Sequence, residues 1–290
     1  MSRILFCMGA TKAGTSWLYR SLHDHAECSL PAVKELHYWD TFDAGARARQ
    51  VAAFGRRLEG FAAKRAAAEA AGRGWQVANL DRQAEQMTAL IAVLEGDRTG
   101  DAAYGAFLDG LGQGRLTADL TPSYALLGEE TMARLAAFRP GALFCYLVRD
   151  PLARLWSHVR MQAERGLSAG EDLAARANGI LRRLLKGGHG HILARGDYRA
   201  AGARMAALDP RIEVMEELTQ PEGWARFAAW AGIAPGTPAQ RRIHEGPRVA
   251  MQPGLRAPAL ALLRDQYDWA AERLGRLPDA WRATLDEVTA

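Results

Sequence analysis

An apolar run at residues 4–8 leads straight into GATKAGTSW at residues 9–17, and a helical pattern follows through Trp17, Leu18 and Leu22. This order of strand, glycine-bearing turn and helix start constrains the fold more than any other stretch of the chain. It sets the free N–H groups of the helix's first turn, and the positive end of the helix dipole, at the carboxyl end of a strand. Glycines let the backbone curl close to an oxyanion. Such a unit binds anions and belongs in parallel α/β sheets.

The rest of the pattern agrees. Residues 142–148 (ALFCYLV) form a second buried strand, and residues 211–215 (RIEVM) a third. Helical spacing predicts helices over 14–25, 46–71, 80–95, 101–111, 129–138, 151–165, 171–186, 197–207, 222–231 and 258–274, with a long loop over 236–256. Asp150-Pro151 sets a helix start, with Asp as N-cap and Pro at the first helical position. Apolar strands separated by helices predict an α/β fold: a P-loop-like parallel β-sheet flanked by helices on both faces. One domain over 1–290 is expected, with a helical insertion around 45–115. Ligands of such sheets sit at the carboxyl ends of the strands, where the turns after Met8 and Val148 fall.

The chemistry of the first turn is set by where its lysine stands. A P-loop kinase or ATPase carries G-x-x-x-x-G-K-[ST]. Here Thr15 follows Gly14, and the lysine is Lys12, inside the loop. Only four of the 37 basic residues are lysines, at 12, 34, 64 and 186, so Lys12 and Lys34 stand out against an arginine background. The net charge of +4 suits an anionic ligand but lacks the dense basic runs of a nucleic-acid binder. Cys7, Cys28 and Cys145 show neither metal-ligand spacing nor a disulfide framework, which fits a reducing, cytoplasmic setting. The N-terminal strand does not have the form of a signal peptide, and no apolar run is long enough to span a membrane.

Three further segments carry candidate chemistry. In VRDPLARLWSHV, Arg149 ends a strand at the ligand edge and Ser157 lies two turns into the next helix, so the two can clamp a phosphate. A strand-end ion pair with Asp150 fits the same residues. PAVKELHYWD, residues 31–40, gathers Lys34, Glu35, His37 and Asp40, and Glu and His are the usual general bases. In an extended stretch Glu35 and His37 point the same way. DLTPSY, residues 119–124, reads as a turn around Pro122.

Together these segments resemble the sulfotransferases that use 3′-phosphoadenosine-5′-phosphosulfate. GATKAGTSWL is similar to their 5′-phosphosulfate loop, and VRDPLARLWSH to their R-x-P-x-x-R-x-x-S 3′-phosphate motif. KELHYWD resembles the K-E-x-H-F-F-D segment of the Golgi-type carbohydrate and heparan sulfate enzymes and their bacterial relatives. GDYRAAGARMAAL followed by RIEVMEEL resembles the family's G-x-Y helix, strand and E-[DE]-L. The resemblance implies a donor site in which Lys12 contacts the bridging oxygen of the sulfate. Ala13, Gly14, Thr15 and Ser16 then hold the 5′-phosphate, and Arg149 and Ser157 the 3′-phosphate. Tyr198 and Arg248 complete the nucleotide side. It implies Glu35 as the acceptor's general base, with Lys34, His37 and Asp40 beside the acceptor and the 45–115 helices shaping that side.

The implied reaction moves a sulfuryl group to a hydroxyl, rather than an amine, of a carbohydrate, lipid or small alcohol. It needs no metal, because one lysine and backbone dipoles can stabilise a loose, in-line transition state of modest charge. Leu120 stands where heparan-type enzymes carry a lysine, and the cytosolic family's C-terminal R-K-G-x-x-G is absent. Both departures leave the acceptor open. A nucleotide kinase or NTPase, and a silent nucleotide-binding protein, are the other readings. The first is disfavoured by Thr15 after Gly14, the second by Lys12, Glu35, Arg149 and Ser157 occurring together.

Overall fold

The two most apolar runs pair side by side as β1 (Arg3–Cys7) and β3 (Leu143–Val148), with Leu5 opposite Leu143 and Cys7 opposite Cys145. The computed structural model describes residues 3–112, 114–240 and 249–287. β2 (Leu116–Leu120) adds on the far side of β1, and β4 (Arg211–Val214) on the far side of β3. The order is β2-β1-β3-β4, and every pairing is parallel. Helices flank the sheet, as the alternation of apolar runs and helical spacing predicts. The chain leaves β1 for β2 on one side and then crosses to β3 on the other. The switch point therefore lies between β1 and β3, and a crevice opens there outside the strand ends.

β2 corrects the sequence reading, which took its last residues for part of a turn. All of β2 is buried, including Thr117 and Asp119. Its polar residues hide its strand character: Asp119 is satisfied by the hydroxyls of Tyr104, Thr121 and Tyr124, and the Thr117 hydroxyl has no partner among the described residues.

α1 (Thr15–His23) follows β1. α2 (Ala44–Ala70) and α3 (Gly74–Glu95) then form a long hairpin that turns at Gly72, φ 66°. Arg65 Nε meets Asp81 Oδ1 across it at 2.6 Å. α3 starts well before residue 80 because its first turns are solvent-facing, with Trp75 exposed, and lack an apolar stripe. α4 (Ala102–Asp109) leads to β2, and α5 (Glu129–Ala137) precedes β3.

α6 (Pro151–Arg165) begins as predicted, with Asp150 accepting from Ala153 N at 2.7 Å. α7 (Leu173–Leu185), α8 (Gly190–Ala194) and α9 (Tyr198–Arg204) carry the chain to β4. α10 (Met215–Leu218) and α11 (Pro221–Ala231) follow. The single helix expected over 258–274 is instead α12 (Pro253–Leu262) and α13 (Arg264–Leu274), divided at Leu263, and α14 (Asp279–Asp286) comes after them. α12 also takes in the end of the expected loop. No helix among the described residues is long and apolar enough to cross a membrane.

Candidate active site

The turn after β1 is stitched to β3. Met8 N donates to Cys145 O at 3.0 Å, Ala10 N to Leu147 O at 2.6 Å, and Leu147 N to Gly9 O at 2.8 Å. Ala13 N then closes on Ala10 O at 3.0 Å, and the backbone turns left-handed at Lys12 (φ 70°) and Gly14 (φ 100°). Gly14 is fixed twice over: by its φ, and because a methyl group there would collide with the Met215 thioether. α1 starts on Gly14 with no side-chain cap, so its first-turn N–H groups at Thr15 and Ser16 are left to an outside acceptor.

Arginines brace this loop from the β3 side. Arg149 Nη1 reaches Lys12 O, and Arg154 Nη1 reaches Thr11 O, each at 3.4 Å. Arg149 is held in turn by Tyr198, whose hydroxyl donates to Arg149 O at 2.6 Å and accepts from Arg149 N at 3.1 Å. Tyr198 is fully buried. It meets the site through the backbone of Arg149. Ser157 lies partly exposed on α6. Arg248 lies outside the described residues.

Arg154 is not among the residues singled out from the sequence, although it stands inside the R-x-P-x-x-R-x-x-S pattern. It is fully buried, and its Nε and Nη2 meet no acceptor among the described residues. Its guanidinium lies so close on Gly196 that any side chain at 196 would strike it. Among the described residues no carboxylate pairs with this buried cation beneath the loop. Lys12's pKa is lowered, first by burial and then by Arg149, Arg160, Arg165 and Lys34 around it. Positive charge converges on one side of the turn, and an anionic ligand in the crevice would compensate it.

The segment after α1 supplies the acidic side. Lys34 Nζ bridges the two halves, donating to Thr15 Oγ1 at 3.2 Å and to Glu35 Oε1 at 2.7 Å. Glu35 Oε2 faces His37 Nε2 at 3.8 Å, and His37 Nδ1 bonds Asp40 Oδ2 at 2.9 Å. Ser123 Oγ, from the segment read as a turn, donates to the same Asp40 oxygen at 2.5 Å. The stretch is not extended. Glu35 and His37 both adopt left-handed backbone, φ 65° and 54°, and this geometry brings their side chains together.

These contacts set the charges. Burial pushes Glu35 up, but His37 and Lys34 override it and hold the carboxyl at about 2. Burial pulls His37 down, but Asp40 and Glu35 override it and raise the ring to about 9. Asp40 is lowered by the same ring and by Ser123, against burial. At neutral pH the cluster is two carboxylates around an imidazolium. Because the His37 pKa is raised above its ordinary 6.5, its stabilising contribution is complete below that value and is lost as pH rises through about 9. We expect the His37 ring to titrate near 9 by ¹⁵N NMR. Asp40→Asn should move the midpoint toward the ordinary imidazole value, and an unshifted wild-type midpoint would refute the assignment.

A parallel sheet with a cation-lined turn at its switch point, and a cluster of Glu35, His37 and Asp40 beside it, defines an α/β protein. Residues 5–191 match the family described as the sulfotransferase family, and the chain belongs to it. It is similar to a solved sulfotransferase from Alicyclobacillus acidocaldarius, with 19% identity, a TM-score of 0.62, and coverage of 97% of this chain and 99% of that one. It is also similar to the sulfotransferase domain of the Synechococcus PCC 7002 olefin synthase, with 15% identity, a TM-score of 0.44, and coverage of 90% and 94%. No curated protein matches the chain.

Proposed function

We propose that this family member transfers a sulfuryl group from 3′-phosphoadenosine-5′-phosphosulfate to a hydroxyl of a carbohydrate, lipid or small alcohol, as a bacterial relative of the Golgi-type carbohydrate enzymes. One observation carries the reading. The cations Lys12, Lys34, Arg149, Arg160 and Arg165 converge on the turn between β1 and α1, and Glu35 lies 2.7 Å from Lys34 at its edge. The donor's 5′-phosphate occupies the N-terminus of α1, with Ala13, Gly14, Thr15 and Ser16 around it. Arg149 and Ser157 take the 3′-phosphate. Lys12 neutralises charge on the departing phosphate oxygen, a contact that strengthens as the S–O bond breaks.

The titration states support Glu35 as the base. His37 is an imidazolium and has no lone pair to offer, whereas Glu35 is an ionised carboxylate at neutral pH. The ion pairs that keep Glu35 ionised also keep it weakly basic. The acceptor hydroxyl must displace one of them, and Lys34 is the group to move, since it already touches Thr15 on the donor loop. His37 and Asp40 then orient the acceptor. The whole chain acts as one domain, and the hairpin of α2 and α3 with α4, inserted between β1 and β2, walls the acceptor side.

Calorimetry with 3′,5′-ADP against ATP tests the donor, and transfer of labelled sulfate from the donor to extracted glycans and lipids tests the reaction. We expect preferential binding of 3′,5′-ADP, and turnover that survives EDTA, because protein cations supply the charge a P-loop kinase draws from Mg²⁺. Preference for ATP, or turnover abolished by EDTA and restored by Mg²⁺, would move the assignment to a kinase.

A further inference from the structure

Asp119 is the fourth residue of β2, and its side chain is fully buried. Among the described residues it makes no ion pair. Three hydroxyls surround its carboxylate instead. Thr121 Oγ1 donates to Oδ1 at 2.5 Å, and Tyr104 and Tyr124 each donate to Oδ2 at 2.7 Å. A carboxylate sealed from water is costly, and hydroxyl donors are what make it tolerable. This arrangement has a direction. A hydroxyl that donates its one proton inward offers its lone pairs outward.

The outward side of these groups meets the segment that bears Glu35 and His37. Thr121 Oγ1 accepts from Leu36 N at 3.0 Å. The Tyr124 hydroxyl accepts from Tyr38 N at 2.9 Å. The Tyr104 ring stacks on the Tyr38 ring with centroids 4.1 Å apart and planes 7° from parallel. Leu36 and Tyr38 are buried and alternate with the half-buried Glu35 and His37. Glu35 and His37 both hold left-handed φ values that non-glycine residues adopt rarely and at a cost. Such a backbone persists only where its surroundings dictate it. Here the buried amides of 36 and 38 are anchored to hydroxyls whose orientation Asp119 sets.

We propose that Asp119 is a positioning residue for the reaction, fixing the backbone at 36 and 38 through Thr121 and Tyr124 so that Glu35 and His37 are aimed together into the crevice. Asp119 itself never touches the reacting groups. The inference rests on the reading of the 34–40 segment as the acceptor-side machinery. It adds a use for DLTPSY, whose hydroxyls become acceptors for backbone amides 85 or 86 positions away.

The test compares Thr121→Val, which keeps the shape and removes the relay, with Thr121→Ser, which keeps the relay. Asp119→Asn is the third variant. Each is measured for kcat, for binding of 3′,5′-ADP, and for the His37 titration by NMR. We expect Thr121→Val and Asp119→Asn to lower kcat roughly 10- to 100-fold with 3′,5′-ADP affinity unchanged, and to move the His37 midpoint off its wild-type value. Thr121→Ser should recover most of the loss. If Asp119→Asn does not fold, the Thr121 pair decides. Loss of kcat and of nucleotide affinity together in Thr121→Val would show a merely structural role and overturn the proposal. So would an unmoved His37 titration or a failed serine rescue. If Glu35→Gln proves fully active while Thr121→Val still moves the His37 titration, the base assignment fails and the positioning of the segment stands.

Discussion

Glu35→Gln is expected to abolish most of the turnover while leaving the nucleotide site intact. A hydroxyl is a poor nucleophile at neutral pH, and a positioned base contributes about 10²–10⁴-fold, or ~3–5 kcal/mol of barrier. Glutamine keeps the size of the side chain and can still accept from Lys34, now 2.7 Å from Glu35 Oε1. It cannot take a proton. Binding of 3′,5′-ADP should therefore match wild type by calorimetry while kcat collapses in the sulfate-transfer assay. His37→Asn should cost less, mainly in acceptor KM, because the protonated ring orients and does not abstract. A nearly fully active Glu35→Gln beside a dead His37→Asn would give the base role to the histidine. The pH profile supplies an independent check. Glu35, depressed to about 2, stays ionised across the neutral range and loses its stabilising contribution only as pH falls from its ordinary 4.5 toward that value.

Arg149→Ala is expected to weaken nucleotide binding by about 2–4 kcal/mol, since truncation leaves a phosphate without its charge-assisted partner. Tyr198 grips the backbone of Arg149 on both sides, and Nη1 points at the carbonyl of Lys12. The loss should fall on 3′-phosphorylated nucleotides and spare plain 5′-nucleotides, so the preference between them disappears. An intact preference in the mutant, measured by calorimetry, would place the 3′-phosphate elsewhere. Tyr198→Phe offers a milder form of the same experiment, because it frees Arg149 without removing it.

The sequence by itself determined β1, β3, the turn between β1 and α1, and the Asp150 cap. Each is encoded by contiguous residues: a short apolar run, glycine where φ is positive, Asp-Pro at a helix start. Local backbone preference suffices for such elements. It also brought Lys12, Glu35, His37 and Arg149 forward, because chemistry-bearing side chains concentrate in short segments there. Only the tertiary structure decided the rest. LTADL became a buried strand because Tyr104, Thr121 and Tyr124 satisfy Asp119. Glu35 and His37 met through left-handed backbone and not through an extended stretch. Arg154 went beneath the loop because Gly196, far along the chain, leaves room for it. A buried polar or charged group is tolerated only where partners or space are supplied. For Asp119 and Arg154 part of that supply, Tyr104 and Gly196, comes from outside the local segment, where no local pattern can show it.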